Sequence, residues 1–158
     1  TINELAIETW GAVGPAVLHI TGDRDYESLR GRVSRPGYVL VPFLDDFGAA
    51  LGAADLIVAR SGGSVWEIAA AGKPAVLVPY PEATGDHQRA NALYFERAGG
   101  AVVVLDRDAR ANVPPLVEDL LAAPSRLETM GAAMRAAAKP DAAERIADEL
   151  IALAPARR

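Results

Sequence analysis

The sequence has no cysteine, which excludes disulfides, thiolate catalysis and cysteine-held zinc. No apolar run approaches the ~20 residues of a membrane-spanning helix, and no signal-peptide pattern opens the chain. Basic residues are outnumbered, 16 Lys and Arg against 21 Asp and Glu for a formal charge of −5. General nucleic-acid binding, which needs clustered positive charge, is therefore not expected. What is present is 51% hydrophobic and 23% charged residues over 158 positions, too apolar for disorder. A chain of this length suits one domain that buries roughly two-thirds of its unfolded surface. A soluble, cytoplasmic α/β domain is the expectation.

Short apolar runs alternate with helical patterns. The predicted strands are Ala16–Ile20, Tyr38–Val41, Leu56–Ala59, Ala75–Val78 and Ala101–Leu105. They are rich in Val, Ile and Leu with little polar alternation, as strands covered by helices on both faces are, so the sheet should be parallel. Predicted helices lie between them at Asn3–Trp10, Asp25–Arg30, Asp46–Ala53, Ser64–Ala71 and Asp86–Ala98, with Pro114–Ala122, Ser125–Ala138 and Asp141–Leu153 after the last strand. Pro114, Pro124 and Pro140 sit where prolines open or separate helices. With no internal repeat and no linker, residues 1–158 read as one domain. The opening helix has no strand before it. A doubly wound sheet starts with a strand and a glycine turn, and in the usual order that strand is central. The chain therefore reads as a Rossmann-like doubly wound sheet lacking its first strand.

In such sheets ligands bind at the carboxyl ends of the strands, which directs attention to the loops there. In Arg60-Ser61-Gly62-Gly63-Ser64-Val65-Trp66-Glu67 two glycines permit close backbone approach, and the helix start can receive a phosphate. Equally, Ser64 and Glu67 have the spacing of a capping box, which needs no ligand. The connection from Pro79 to Gln88 is long for a strand-to-helix loop and leads to His87, Gln88 and, one turn on, Asn91. These can converge on a hydroxylated ligand, or Asp86 can cap the helix with the others solvated. Asp23-Arg24-Asp25 and Asp106-Arg107-Asp108 each follow a strand, where aspartates cap turns, and neither has a histidine beside it. They read as structural, His19 as a satisfied core histidine, and the Ala-rich C-terminal helices as scaffold.

Taken together, Phe43-Leu44-Asp45-Asp46-Phe47, the run from Ala54 through Arg60-Ser61-Gly62-Gly63-Ser64 to Gly72-Lys73-Pro74, Val78-Pro79-Tyr80-Pro81 and Asp86-His87-Gln88-Arg89-Ala90-Asn91-Ala92 resemble the MurG family of peptidoglycan N-acetylglucosaminyltransferases. These are two-domain enzymes of the GT-B glycosyltransferase fold, and the resemblance covers this chain as the C-terminal, donor-binding half. Several blocks agree in order and interval, which a lone glycine loop would not offer.

The resemblance implies that the backbone at Phe43 and Leu44 meets uracil. It implies further that Ser61, Gly62, Gly63 and Ser64 hold the diphosphate, and that Glu67 bonds the ribose hydroxyls. Gln88, Asn91 and His87 would contact the N-acetylglucosamine. One carboxylate suits two vicinal hydroxyls, since each oxygen accepts a charge-assisted bond. The implied donor is UDP-N-acetylglucosamine. The implied acceptor is the lipid-linked muramyl pentapeptide, reached through an N-terminal domain that also carries the catalytic base, so no catalytic residue falls in this chain. No cofactor and no metal are implied, and the full-length protein would be peripheral on the inner face of the membrane. Two other readings use the same residues: a standalone donor-binding subunit of a two-chain transferase, and a non-catalytic module for phosphate ligands. This sequence departs from the family pattern in a glycine loop one residue short, in Ser64 for a usual threonine, and in Glu82 where histidine is frequent.

Overall fold

The computed structural model describes residues 1–153. Five strands, β1 (Val17–Ile20), β2 (Tyr38–Val41), β3 (Ile57–Ala59), β4 (Ala75–Leu77) and β5 (Ala101–Val103), alternate with helices α1 (Ile2–Trp10), α2 (Asp23–Leu29), α3 (Phe47–Ala53), α4 (Val65–Ala70) and α5 (His87–Arg97). Three more helices follow: α6 (Ala109–Leu121), α7 (Pro124–Ala137) and α8 (Ala142–Leu153). All pairings are parallel, as the apolar runs predict.

The strands form two sheets, β1–β2 and β3–β4–β5, with no ladder between β1 and β3. One core nevertheless spans both. Leu5, Ile7 and Trp10 of α1 and Val113, Val117 and Leu120 of α6 pack with Tyr38 and Val17 from the first sheet and with Val58, Val76 and Val102 from the second. The opposite face of the larger sheet is covered by Leu51, Val65, Ile68, Phe95 and Met134. Helices thus lie on both faces of β3–β4–β5, and β4 is wholly buried. The smaller sheet differs from expectation. Leu18, Ile20 and Val39 are exposed, so β1 and β2 alternate in burial instead of being covered on both sides.

Parallel strands direct the N–H and C=O of alternate residues to opposite edges. The Val17 and Thr21 amides donate to Gly37 and Val41 of the neighbouring strand, and Ile57 donates to Pro74. Leu18 and Ile20 on β1 and Val58 on β3 therefore turn their backbone groups to the unpaired edges of their sheets. Amide exchange of these three should be much faster than that of His19 and Val76. Equal protection of Leu18 and His19 would show that the edge is covered in solution.

Two helical expectations need correction. Pro114 does not open a helix: α6 begins at Ala109 and holds both Pro114 and Pro115 internally. The prolines leave the Arg110 and Ala111 carbonyls without their helical donors, but both residues are exposed and water can serve them. Burial of Ala109, Val113, Val117 and Leu120 along one face holds the helix together. In contrast to α6 and α7, α8 is not scaffold, for it buries no residue and exposes Ile146, Leu150, Ile151 and Leu153.

His19 is a bonded core histidine. Its Nδ1 lies 2.8 Å from the Tyr38 hydroxyl and its Nε2 3.0 Å from Asn3 Oδ1. Asn3 Nδ2 donates to the Thr21 carbonyl and to Asp25, which makes Oδ1 the acceptor, so the ring proton sits on Nε2 and Tyr38 donates to Nδ1. Burial lowers the His19 pKa from 6.5 and pushes the Tyr38 phenol up to about 12. Below pH 6.5 the unfolded chain takes up a proton that the fold refuses, so stability should fall as pH drops from 6.5 toward the lowered folded value. Urea midpoints measured across that range should slope less in His19→Gln; identical slopes would remove His19 from the pH response.

Candidate functional site

The carboxyl ends of β3, β4 and β5 bring three loops together. The β3–α4 loop is Arg60 to Ser64. Ser61 is completely buried and its hydroxyl donates to the Gln88 carbonyl at 2.7 Å. Asn91 Nδ2 donates back to the Ser61 carbonyl at 3.0 Å. The loop is thus tied at its base to the start of α5, one long connection later in the chain. Gln88 Oε1 accepts from the Tyr80 amide at 3.0 Å, which leaves its Nε2 facing Gly62. His87 bonds the Thr84 carbonyl through Nδ1 at 2.7 Å.

The glycines stand out by what does not require them. Neither Gly62 nor Gly63 has a positive φ. A Cβ built on Gly63 meets nothing within 4 Å, and one on Gly62 meets only Gln88 Nε2, at 3.8 Å. The fold therefore has no demand for glycine here, and the space beside both residues is open to a ligand backbone contact.

The capping-box alternative is not realised. Ser64 has φ −60° and ψ −14°, already helical, and makes no side-chain cap bond. A cap needs extended backbone to aim its oxygen at the helix amides. Glu67 is exposed and its side chain takes no hydrogen bond from a described residue. Asp86 is no side-chain cap either: it adopts the left-handed conformation at φ 53°, unusual for a non-glycine residue, after Gly85 at φ 64°. It pairs with Arg89 at 3.7 Å. The two successive left-handed residues turn the long loop sharply into α5.

Phe43 and Leu44 lie at the carboxyl end of β2, in the other sheet. Phe43 is 68% exposed and Leu44 half-buried, with the loop fixed by Asp46, whose carboxylate accepts from the Ala49 amide at 2.8 Å. The two Asp-x-Asp triplets, by contrast, form no side-chain helix cap at α2 or α6, against the capping expectation. Behind the site, Trp66 of α4 packs against Tyr94 and Phe95 of α5, ring centroids 5.5 and 5.0 Å apart, so an aromatic cluster joins the two helices that present the loops. Glu82 does not intrude: it accepts from the Tyr80 hydroxyl at 3.0 Å on the exposed side of its loop.

The sequence pattern assigns Arg60 no role of its own and Asp106 only that of a turn-capping aspartate. Arg60 Nη1 stands 2.6 Å from Asp106 Oδ1 and donates to the Val78 and Pro79 carbonyls at 3.1 and 3.2 Å. Its guanidinium also lies over the Tyr80 ring, 5.4 Å from the centroid. A charged residue just past an apolar strand was the only available signal, and it names no partner. Asp25, from the other Asp-x-Asp triplet, pairs with Arg24 and accepts from Asn3.

Parallel strands alternating with helices, with polar loops gathered at their carboxyl ends, define a doubly wound type of α/β domain. The chain belongs to the glycosyltransferase family 28 C-terminal domain, whose family pattern matches residues 4–146. It is 42% identical over 158 residues to the UDP-N-acetylglucosamine–N-acetylmuramyl-(pentapeptide) pyrophosphoryl-undecaprenol N-acetylglucosamine transferase of Solibacter usitatus, covering 95% of this chain and 43% of that protein. The enzyme of the same name from Halorhodospira halophila is 44% identical over 147 residues, 90% of this chain and 41% of that one. Among solved structures, Acinetobacter baumannii MurG superposes with a TM-score of 0.74 at 29% identity, over 85% of this chain and 40% of that one. The kitacinnamycin glycosyltransferase, at 24% identity and a TM-score of 0.58, shares the fold. The chain thus spans under half the length of the curated relatives it matches. No helix among the described residues is long and apolar enough to cross a membrane.

Proposed function

We propose that residues 1–158 act as one donor-binding domain of an inverting N-acetylglucosaminyltransferase that converts the lipid-linked muramyl pentapeptide to its disaccharide in peptidoglycan synthesis. UDP-N-acetylglucosamine is the donor. The observation that carries this reading is the exposed Glu67 carboxylate in the first turn of α4, behind two glycines that the fold itself does not require. Backbone amides from Ser61 to Ser64 hold the diphosphate, Glu67 the ribose hydroxyls, and the Phe43–Leu44 backbone the uracil. Gln88 Nε2 and the free Oδ1 of Asn91 reach the sugar hydroxyls, with His87 at the rim.

In the transfer an acceptor hydroxyl attacks the anomeric carbon, the bond from that carbon to the diphosphate oxygen breaks, and UDP leaves. Its developing negative charge is met by the loop amides, whose dipoles are already aimed. The hydroxyl proton passes to a base outside this chain, where the acceptor also binds. The complete enzyme works on the inner face of the membrane, where its lipid substrate lies.

Calorimetric titration of the chain should give binding of UDP and UDP-N-acetylglucosamine and none of NAD, with no UDP release when lipid acceptor is added. Binding of NAD in place of the uridine nucleotides would overturn the donor assignment. Turnover at ordinary enzymatic rates would overturn the division of labour.

A further inference from the structure

We propose that Asp106 is a positioning residue for the donor site: it locks Arg60 so that Arg60 holds the Pro79–Tyr80 backbone, and Tyr80 in turn aims the Gln88 amide at the glycine loop. The inference rests on the donor-binding reading and extends it to a residue outside the blocks that carry the family resemblance.

The geometry forms a chain of contacts across three strand ends. Arg60 directly follows β3. Its Nη1 reaches Val78 and Pro79, the first residues past β4, and the carboxylate of Asp106, just past β5. Both partners are largely shielded, their side chains 28% and 20% exposed, so solvent screens this pair less than an open surface pair. Burial alone would raise the Asp106 carboxyl, but the ion pair with Arg60 and the hydrogen bond donated by the Thr1 hydroxyl hold it below its ordinary value. It therefore stays charged and able to hold a guanidinium at neutral pH.

The next links are directional. Tyr80 is fixed from above by the guanidinium over its ring and through its amide by Gln88 Oε1. An amide side chain whose oxygen is engaged must point its nitrogen the other way, and that nitrogen is the protein atom nearest a Cβ built on Gly62. If Asp106 no longer restrains Arg60, the guanidinium can rotate off the two carbonyls. The Tyr80 amide then loses its fixed position and Gln88 its orientation. The diphosphate loop is held separately, by Ser61 and Asn91, so the effect should fall on the sugar and spare the nucleotide.

Asp106→Asn keeps the size of the side chain and removes its charge. It should weaken UDP-N-acetylglucosamine binding about five-fold, the scale of one hydrogen bond, while UDP affinity changes less than about two-fold. Asp106→Glu, which restores the carboxylate, should recover part of the loss. Amide exchange at Tyr80 should speed up in Asp106→Asn and not in Asp106→Glu. A merely structural role would lower both affinities together, and that result, or no change in either, would overturn the proposal. Unchanged Tyr80 exchange would do so as well, even if the wild-type chain bound neither nucleotide, an outcome that counts against the donor reading itself. Should Asp106→Asn fail to fold, Arg60→Met removes the single Nη1 that meets the carboxylate and both carbonyls, and the same two readouts apply.

Discussion

Glu67→Ala should lower UDP affinity about ten- to a hundred-fold while leaving the melting temperature almost unchanged. The loss corresponds to two charge-assisted hydrogen bonds to vicinal ribose hydroxyls, together roughly 1–3 kcal/mol. The stability half of the expectation follows from the local geometry. Glu67 is exposed and Ser64 already has helical backbone angles, so no reciprocal cap is lost when the carboxylate goes. Surface changes of that kind stay within about 0.5 kcal/mol. Paired titration and melting curves separate the two possibilities. A folded variant with wild-type UDP affinity would remove Glu67 from the site, and a large fall in melting temperature would restore the capping role.

Phe95→Ala should destabilise the domain by about 3–5 kcal/mol, a large share of the 5–15 kcal/mol typical of a domain. Phe95 is fully buried and meets Trp66 and Tyr94 edge-on at 5.0 Å each. Truncation leaves a void where α4 and α5 are pressed together, and neither helix can close it without moving. Since Trp66 stands next to Glu67 in the chain, UDP affinity should also fall at temperatures where the variant remains folded. Chemical denaturation gives the first quantity and titration the second. A stability loss below about 1 kcal/mol, the ordinary effect of a point mutation, would show that the aromatic cluster does not join the two helices.

Much of this architecture was legible beforehand because its signals are local. Val17–Ile20, Tyr38–Val41 and Ala75–Leu77 are short β-branched and aliphatic runs bounded by turn residues, and each predicted strand lies within two residues of the observed one. The resemblance of the Arg60–Glu67 and Asp86–Asn91 blocks to one family was equally local and agrees with the family to which the chain belongs. Where two local rules competed, sequence could not arbitrate. Ser64-x-x-Glu67 satisfies the capping-box pattern, and only the backbone angles of Ser64 show that the box is open. Pro114 satisfies the helix-opening pattern, yet burial of Val113 and Val117 carries α6 across it.

By itself the sequence determined the elements, their parallel pairing and the loops in which ligand chemistry could sit, because each depends on neighbours a few residues away. Tertiary structure alone decided three further matters. The strands fall into two sheets that share one core. The amide oxygen of Gln88 is spent on Tyr80. Asp106, read only as a turn-capping aspartate, closes on Arg60. All three turn on distances between the ends of strands far apart in the chain. A polar side chain bonds whichever group the packed core sets within about 3 Å of it, and no pattern along the chain carries that distance.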